Sequence, residues 1–433
     1  MYRTVREELA RRGVSSDVLI LADPTDEYFK KLQVARSVEP VFGFEQGRMT
    51  TGILRVFGTL PLIDILLKAI ITRFIVRQHL RHTGASTLAT SDDRALAYPL
   101  ATLSAARSLL LPIALLPIES FIATHAQTVD KAKVIPAMTG PRSIMRTIIK
   151  RLYPQGIRYT SDEKEVHFYQ PRYLVPLLVM WPSLLPRNPW VRGSHTALAS
   201  VFVNSQRQVD ENVAGGEDLA RMSVTGFPAH DAFIRLYSSR KDEKKLFEKE
   251  FKVSAQKIFL LIGTHFRATY APSEFPLIHR EMHELFALIR DNVPADYTIV
   301  IKLHPSVKLE EWGDFINELG ERPRIIIHSE WDAYRLAATA DMIFMFTSAL
   351  VITALATDVP VVAYKIRLAS FDELYQPYKS IRLARTIEEL SGQLAMPISL
   401  SDKESALRRD DRKRFGVFDG KCSERIADAL VDL

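Results

Sequence analysis

The sequence predicts an α/β protein built on two doubly wound parallel sheets, and three observations carry that expectation. The chain has 433 residues, too many for one ordinary core, so two domains are expected. From about residue 258 onward, apolar β-branched runs alternate with segments of helical period, as in "KIFLLIG", "YTIVIKLHP", "RIIIH", "DMIFMF" and "VPVVAY"; that alternation is the pattern of a parallel sheet with crossover helices. Several of these runs end in polar or cationic residues, which is how the carboxyl edge of a parallel sheet presents ligand-binding groups.

The elements follow in order. "MYRTVREELARRG" is a charged helical start without an apolar h-region, so it is not read as a secretory signal peptide. "SDVLILADP" (16–24) reads as a strand, and 51–82 reads as a greasy stretch carrying Arg55, Lys68, Arg73, Arg77 and Arg81 with Asp64 as its acid. Buried core and a basic, apolar surface resting on a membrane both fit that stretch. "STLATSDDRAL" (86–96) is a strand running into a helix, and "LLPIALLP" (110–117) and "SVFVNS" (200–205) are further strands. Prolines and turn signals break 130–195 into an irregular excursion. The expected layout is an N-terminal domain over 1–235, a C-terminal domain over 236–400 and a helical tail over 401–433. A charged helix near 237–257 lies at the boundary.

Composition narrows the class. Hydrophobic residues make up 47% and charged residues 25%, an ordinary globular balance. The one cysteine rules out an internal disulfide framework and fits a reducing cytoplasm. Net charge is +6 with a pI near 9.2, favourable for phosphates or an anionic surface without choosing between them. No stretch is apolar enough to read as a membrane span. No P-loop occurs and no G-x-G-x-x-G follows a strand, which argues against an NTPase or a nicotinamide enzyme. The basic residues are dispersed, so nucleic acid is not an expected partner. No metal site and no cofactor are expected; a zinc site from His265, His304 and His328 has no supporting ligand spacing.

Four strand ends carry the chemistry: "GTHFR" (263–267), "KLHPS" (302–306), "IHSEWD" (327–332) and "FTSAL" (346–350). In one parallel sheet they share an edge, which would gather His265, Arg267, His304, Pro305, His328, Ser329, Glu330, Thr347 and Ser348 into a donor-binding set. Thr347-Ser348 before "ALVITALA" is an ordinary N-cap; the same geometry offers backbone N–H groups and hydroxyls to a phosphate. His304, with Pro305 fixing the turn, is placed to meet that phosphate or to protonate a leaving group. Trp331 either stacks on a base or packs in the core. In the N-terminal half, Asp92, Asp93 and His195 are candidate catalytic bases, with Arg94, Glu119 and Ser194 beside them. Helix capping explains "SDD" as well.

"VNSQ…VTGFPAHD", "IKLHPS" and "SEWDAYRLAATADMIFMFTSALVITALATDVPVVAY" together resemble the C-terminal domain of GT-B glycosyltransferases. The His-Pro followed by a Ser/Thr pair resembles the bacterial sialyltransferases, Kdo transferases and CDP-glycerol glycerophosphotransferases. The resemblance spans about 200–365 and implies that His304, Pro305, Thr347 and Ser348 contact the donor phosphate. It implies a GT-B fold, two Rossmann-like domains facing a cleft, and a metal-independent transferase of the bacterial cell envelope. Such an enzyme moves a sugar or polyol phosphate from a nucleotide donor to a surface polysaccharide or lipid-linked acceptor, at the cytoplasmic face of the inner membrane. Cytidine donors, including a CMP-activated nonulosonic acid such as Kdo or sialic acid, are favoured over uridine ones, and Arg267 is a natural partner for that acid's carboxylate. "GTHFR" also resembles hydrolysing UDP-N-acetylglucosamine 2-epimerases, but Phe266 separates His265 from Arg267 and the acidic, glycine-rich signature is missing. Epimerase is the second reading, and a non-catalytic nucleotide-sugar binder the third.

Overall fold

The computed structural model describes residues 3–16, 61–91, 97–118, 157–159, 165–167, 197–214, 218–263, 274–303, 307, 309–321, 323–327, 331–366, 371–396 and 399–433. The strand expected at 16–24 (apart from Ser16) and most of the 130–195 excursion lie outside these residues. The described chain forms two compact units, one reaching Thr225 and resuming at Ser423–Leu433, the other covering Gly226–Cys422.

The first unit contains α1 (Arg3–Arg11), α2 (Pro61–His82), β1 (Leu88–Thr90), α3 (Ala97–Arg107), β2 (Ile113–Leu115), β3 (Ile157–Tyr159), β4 (Glu165–His167), β5 (Ser200–Val203), α4 (Gln206–Ala214) and β6 (Met222–Val224). Its parallel sheet has the order β1-β2-β5-β6. β3 and β4 form a separate antiparallel pair inside the region read as irregular. One face of the sheet carries α2 and α3, through Ala69, Val76, Leu80, Leu100 and Leu103 packed with Ile113, Leu115, Val201 and Val203. The alternate residues Ala114, Leu116 and Phe202 point to the other face, where Val5, Leu9, Ile426 and Ala427 cover them. Both faces are therefore buried, as parallel sheets require.

The second unit contains α5 (Pro228–Ser238), α6 (Arg240–Phe251), β7 (Ile258–Ile262), α7 (Phe275–Asn292), β8 (Thr298–Lys302), α8 (Gly313–Asn317), β9 (Arg324–Ile327), α9 (Ala333–Thr339), β10 (Met342–Met345), α10 (Leu350–Ala354), β11 (Val361–Tyr364), α11 (Phe371–Tyr375), β12 (Arg382–Ala384), α12 (Ile387–Leu394) and α13 (Asp402–Phe415). The six strands are all parallel, in the order β12-β11-β10-β7-β8-β9. Ile258, Leu260, Val300, Ile343 and Met345 face one core layer and Phe259, Leu261, Ile299, Ile301 and Phe344 the other. That alternation is the period-2 geometry of a strand buried on both sides.

Charged groups fix the helices to this sheet. Asp341, at the amino edge, accepts from Arg240 Nη2 at 2.6 Å, Lys244 Nζ at 2.7 Å and the Ile258 N–H at 2.8 Å, which ties α6 to β7 and β10. Burial lowers the Lys244 pKa, against the pull of Asp341. In α13 the fully buried Arg408 donates to the carbonyls of Ala354 (3.2 Å), Thr357 (2.8 Å) and Val359 (3.2 Å) and to Ser380 Oγ (2.9 Å). It thereby ties α13 to the turn that follows α10, where the Ala354 carbonyl also accepts from the Thr357 N–H at 3.1 Å. Burial brings the guanidinium down to about 10.

The tail does not act as one element. α13 belongs to the second unit, while α14 (Cys422–Val431) packs in the first, where Ser423 Oγ donates to Thr4 Oγ1 at 2.8 Å and Arg12 Nε to Asp428 at 2.9 Å. Gly226 has φ +82, and a Cβ there would lie 2.4 Å from Cys422 Sγ, so only glycine suits that position.

Candidate functional site

The carboxyl edge of the six-stranded sheet is level. Leu383, Ala363, Met345, Ile262, Lys302 and Ile327 are registered partners across the six strands in turn. The four expected ligand segments start directly beyond this row, after Ile262, Lys302, Ile327 and Met345, so the predicted shared edge is real. His265, Arg267, His304, Pro305, His328, Ser329 and Glu330 lie outside the described residues, as do Asp92, Asp93, Arg94, Glu119, Ser194 and His195. Thr347 and Ser348 are described.

What flanks these segments is tightly packed. Gly263 follows β7 in a tight place: a Cβ would meet Leu303 at 3.1 Å and the Trp312 ring at 3.2 Å, so these side chains would have to give by a few tenths of an ångström. Leu303, Val307 and Trp312 are all buried. A rigid floor of this kind is what holds ligand-bearing loops in place. On the far side of the 328–330 segment, Trp331 is buried. Its Nε1 donates to Glu250 at 2.9 Å, it meets Phe247 edge-on at 5.2 Å, and the Arg335 guanidinium lies 3.6 Å from its ring centre. Trp331 is therefore a core residue, and base stacking by it is ruled out.

Thr347 and Ser348 are half-buried. They precede the helix rather than cap it: the N-cap position of α10 is Ala349, and α10 has only five residues. The Ser348 hydroxyl accepts the Leu350 N–H at 3.2 Å, closing a local turn. So short a helix has little macrodipole, and any anion held here relies on hydroxyls and individual N–H groups. Beneath the turn sits Tyr375 of α11, fully buried. Burial pushes its phenol far above the usual range, and the Ser348 backbone N–H pulls it partly back.

Two cations that the sequence reading did not single out stand on the same edge. Lys365 follows β11 and Arg385 follows β12, and the Lys365 N–H donates to the Ala384 carbonyl at 2.9 Å. Asp372 of α11 joins them, accepting from Lys365 Nζ at 3.0 Å and Arg385 Nε at 2.6 Å. Lys365 holds the Asp372 carboxyl below the usual range; partial burial opposes this and Arg385 assists. One residue earlier on β11, the buried Tyr364 donates to Glu281 at 2.5 Å; burial, then Glu281, raises its phenol well beyond the usual value. The signal available in sequence was slight: a cation just after an apolar run, in "VVAYK" and "IRLAR".

No protein-family model and no curated protein matches the chain. Solved structures do. A UDP-GlcNAc 2-epimerase from Neisseria meningitidis, bound to UDP-GlcNAc, is similar over 99% of this chain and 95% of its own, at 12% identity and a TM-score of 0.60. MnaA of S. aureus in complex with UDP is similar over 99% and 91%, at 14% identity and a TM-score of 0.52. The fold is GT-B. The wall teichoic acid polymerase TagF is also similar, over 55% of this chain and 58% of its own at 14% identity, but a TM-score of 0.42 carries no argument. The resemblance to the epimerases recurs among the whole-length structural matches. At these identities the likeness establishes the fold alone.

Among the described residues, no three His, Cys, Asp or Glu side chains converge as metal ligands, and no helix is long and apolar enough to cross a membrane. In α2, Ala69, Thr72, Val76 and Leu80 are buried, while Ile70 (49% exposed) and Phe74 (63%) lie on the surface beside the exposed Arg73.

Proposed function

We propose that the chain is a glycosyltransferase that binds a nucleotide-activated donor at the carboxyl edge of the six-stranded sheet. It transfers a sugar or polyol phosphate to a glycan or lipid-linked acceptor. The observation that carries this reading is the level row of strand ends, with the Thr347-Ser348 turn and two cations standing just past it. Hydroxyls, N–H groups and fixed positive charge at the end of a parallel sheet are suited to a phosphate. Support also comes from the fold, since two whole-length structural matches were solved with UDP or UDP-GlcNAc. His304 is assigned to the donor phosphate or leaving group, and Asp92, Asp93 and His195 are the candidate bases toward the acceptor. The transfer is proposed to run without a metal, fixed donors and cations carrying the charge that a cation would otherwise screen. Cytidine is proposed as the base, from the His-Pro and Thr-Ser motifs.

A second reading, hydrolytic epimerisation of a UDP-sugar, is favoured by the whole-length match to the Neisseria enzyme. Thermal shift with CMP, CDP, UMP and UDP separates the two, because a ligand that binds the native state raises the midpoint. Stabilisation by cytidine nucleotides supports the transferase reading; stabilisation by uridine nucleotides alone moves the assignment to the epimerase; none with any nucleotide overturns both.

Peripheral membrane contact is part of the proposal. The outward Ile70 and Phe74 with neighbouring arginines form the kind of surface that rests on anionic lipid.

A further inference from the structure

Thr347, Lys365 and Arg385 occupy equivalent positions on three neighbouring strands. Each lies two residues beyond a member of one registered row, Met345, Ala363 and Leu383. Strand spacing of about 4.8 Å puts their backbones within roughly 10 Å of one another. The short helix α11 draws two of them together, with Asp372 accepting from both Lys365 and Arg385.

The charge balance of this cluster is uneven, with two cations on one carboxylate. Lys365 retains 29% side-chain exposure, Asp372 41% and Arg385 45%, so an incoming anion has access to them. A second carboxylate, Glu389, lies nearby and accepts the backbone N–H of Arg385 at 2.7 Å, while Asp372 is the carboxylate that pairs with the guanidinium. A surface ion pair by itself contributes little to stability. Holding two long cationic side chains on a single carboxylate next to a hydroxyl-bearing turn therefore has little structural return, and it leaves two preorganised, partly exposed cations at the sheet edge.

We propose that Lys365 and Arg385, held by Asp372, form a second anion subsite that takes a further negative group on the donor, beyond the phosphate at Thr347-Ser348. This rests on the donor-edge reading above and extends it to the donor's charge. The group is either the second phosphate of a nucleoside diphosphate or the carboxylate of a CMP-linked acidic sugar. Both are planar or tetrahedral oxyanions that a guanidinium binds through paired hydrogen bonds.

Isothermal titration of CMP, CDP, UMP, UDP and a CMP-linked nonulosonic acid into the full chain tests it. In the unmodified protein, one ligand with the extra anion binds about tenfold or more tighter than its monophosphate. An advantage for CDP or UDP identifies a phosphate, and one for the acidic sugar nucleotide identifies a carboxylate. In the Lys365→Gln/Arg385→Gln variant the advantage collapses to within about twofold, because the ligand with the extra anion loses more affinity than its monophosphate. The Asp372→Asn variant frees both cations and retains or increases the advantage, which a purely structural ion pair does not predict. An undiminished advantage in the double variant, no advantage in the unmodified protein, or loss of the advantage in Asp372→Asn overturns the subsite while leaving the donor edge standing. Absence of binding by all five ligands overturns both.

Discussion

The two units use the same parallel α/β plan with different completeness. In the first unit, β1, β2 and β6 have three residues each, and both edge strands, β1 and β6, lack a fully buried residue. In the second, β7 and β8 are five residues long and buried throughout, and β10 and β11 are buried along their full length. A strand buried on both faces cannot shift register without exposing apolar surface or opening a void. The second sheet is thus the rigid one, and the groups past its carboxyl edge are held in fixed relation. The first sheet owes its stability to helices laid over short strands, including one contributed by the far end of the chain.

The largest effect that tests this contrast is expected at Arg408. Arg408→Met removes a buried charged donor from three carbonyls and from Ser380; the Ala354 carbonyl keeps its bonds from Thr357 and Ser380 keeps Asp411, while the Thr357 and Val359 carbonyls lose the guanidinium. Chemical denaturation should show a loss of about 3–5 kcal/mol. At Arg425 in the first unit, which donates to the Thr225 carbonyl at 2.9 Å, Arg425→Ala should cost nearer 1 kcal/mol. Equal losses would mean that the two units are equally dependent on buried polar locks.

Next is Glu404. Partial burial raises its pKa, but bonds to Arg382 and to the Ser401 N–H and hydroxyl outweigh this and hold it at about 2. A carboxyl depressed on folding contributes stability that is complete above its unfolded value near 4.5 and is lost as pH falls toward 2. Glu404→Gln should lower stability at neutral pH by about 3 kcal/mol, because Arg382 is almost fully buried and loses its partner. It should also flatten the acid limb between pH 4.5 and 2. An unchanged acid limb would show that other carboxylates govern acid unfolding.

At the site, Thr347→Ala/Ser348→Ala should weaken CDP or UDP binding about tenfold and leave cytidine or uridine binding nearly unchanged. A similar loss for nucleotide and nucleoside would point instead to damage of the local turn. The smallest effect is expected at the membrane. Ile70→Ser/Phe74→Ser should reduce flotation with anionic liposomes severalfold without changing the thermal midpoint, since both side chains are already on the surface. No difference in flotation would leave α2 as a structural helix alone.

The second unit was legible in the sequence because its strands are continuous apolar runs closed by turn signals, so the periodicity and the boundaries agreed. The first was less legible. A three-residue strand such as Ile113–Leu115 carries too little pattern to separate it from the prolines around it, and the β3–β4 pair lay hidden in a turn-rich stretch. Thr347 and Ser348 were legible because a polar pair interrupting "FMFTSALV" stands out. Lys365 and Arg385 were not, since they are separated by about twenty residues and only the sheet register, together with Asp372, brings them together. Trp331 shows the opposite failure: an aromatic next to a candidate ligand segment was equally consistent with stacking and with packing, and only its burial decides.

Hydrogen–deuterium exchange of the full chain with and without CDP or UDP is the most direct test that the carboxyl edge of the six-stranded sheet is the donor site. Binding should slow exchange at the amides around Phe346–Leu350 and around Lys365 and Arg385. The amino edge, around Asn292–Tyr297 and Asp341–Met342, should remain unchanged. Protection confined to the first unit or to the amino edge, with none at Phe346–Leu350, would contradict the account.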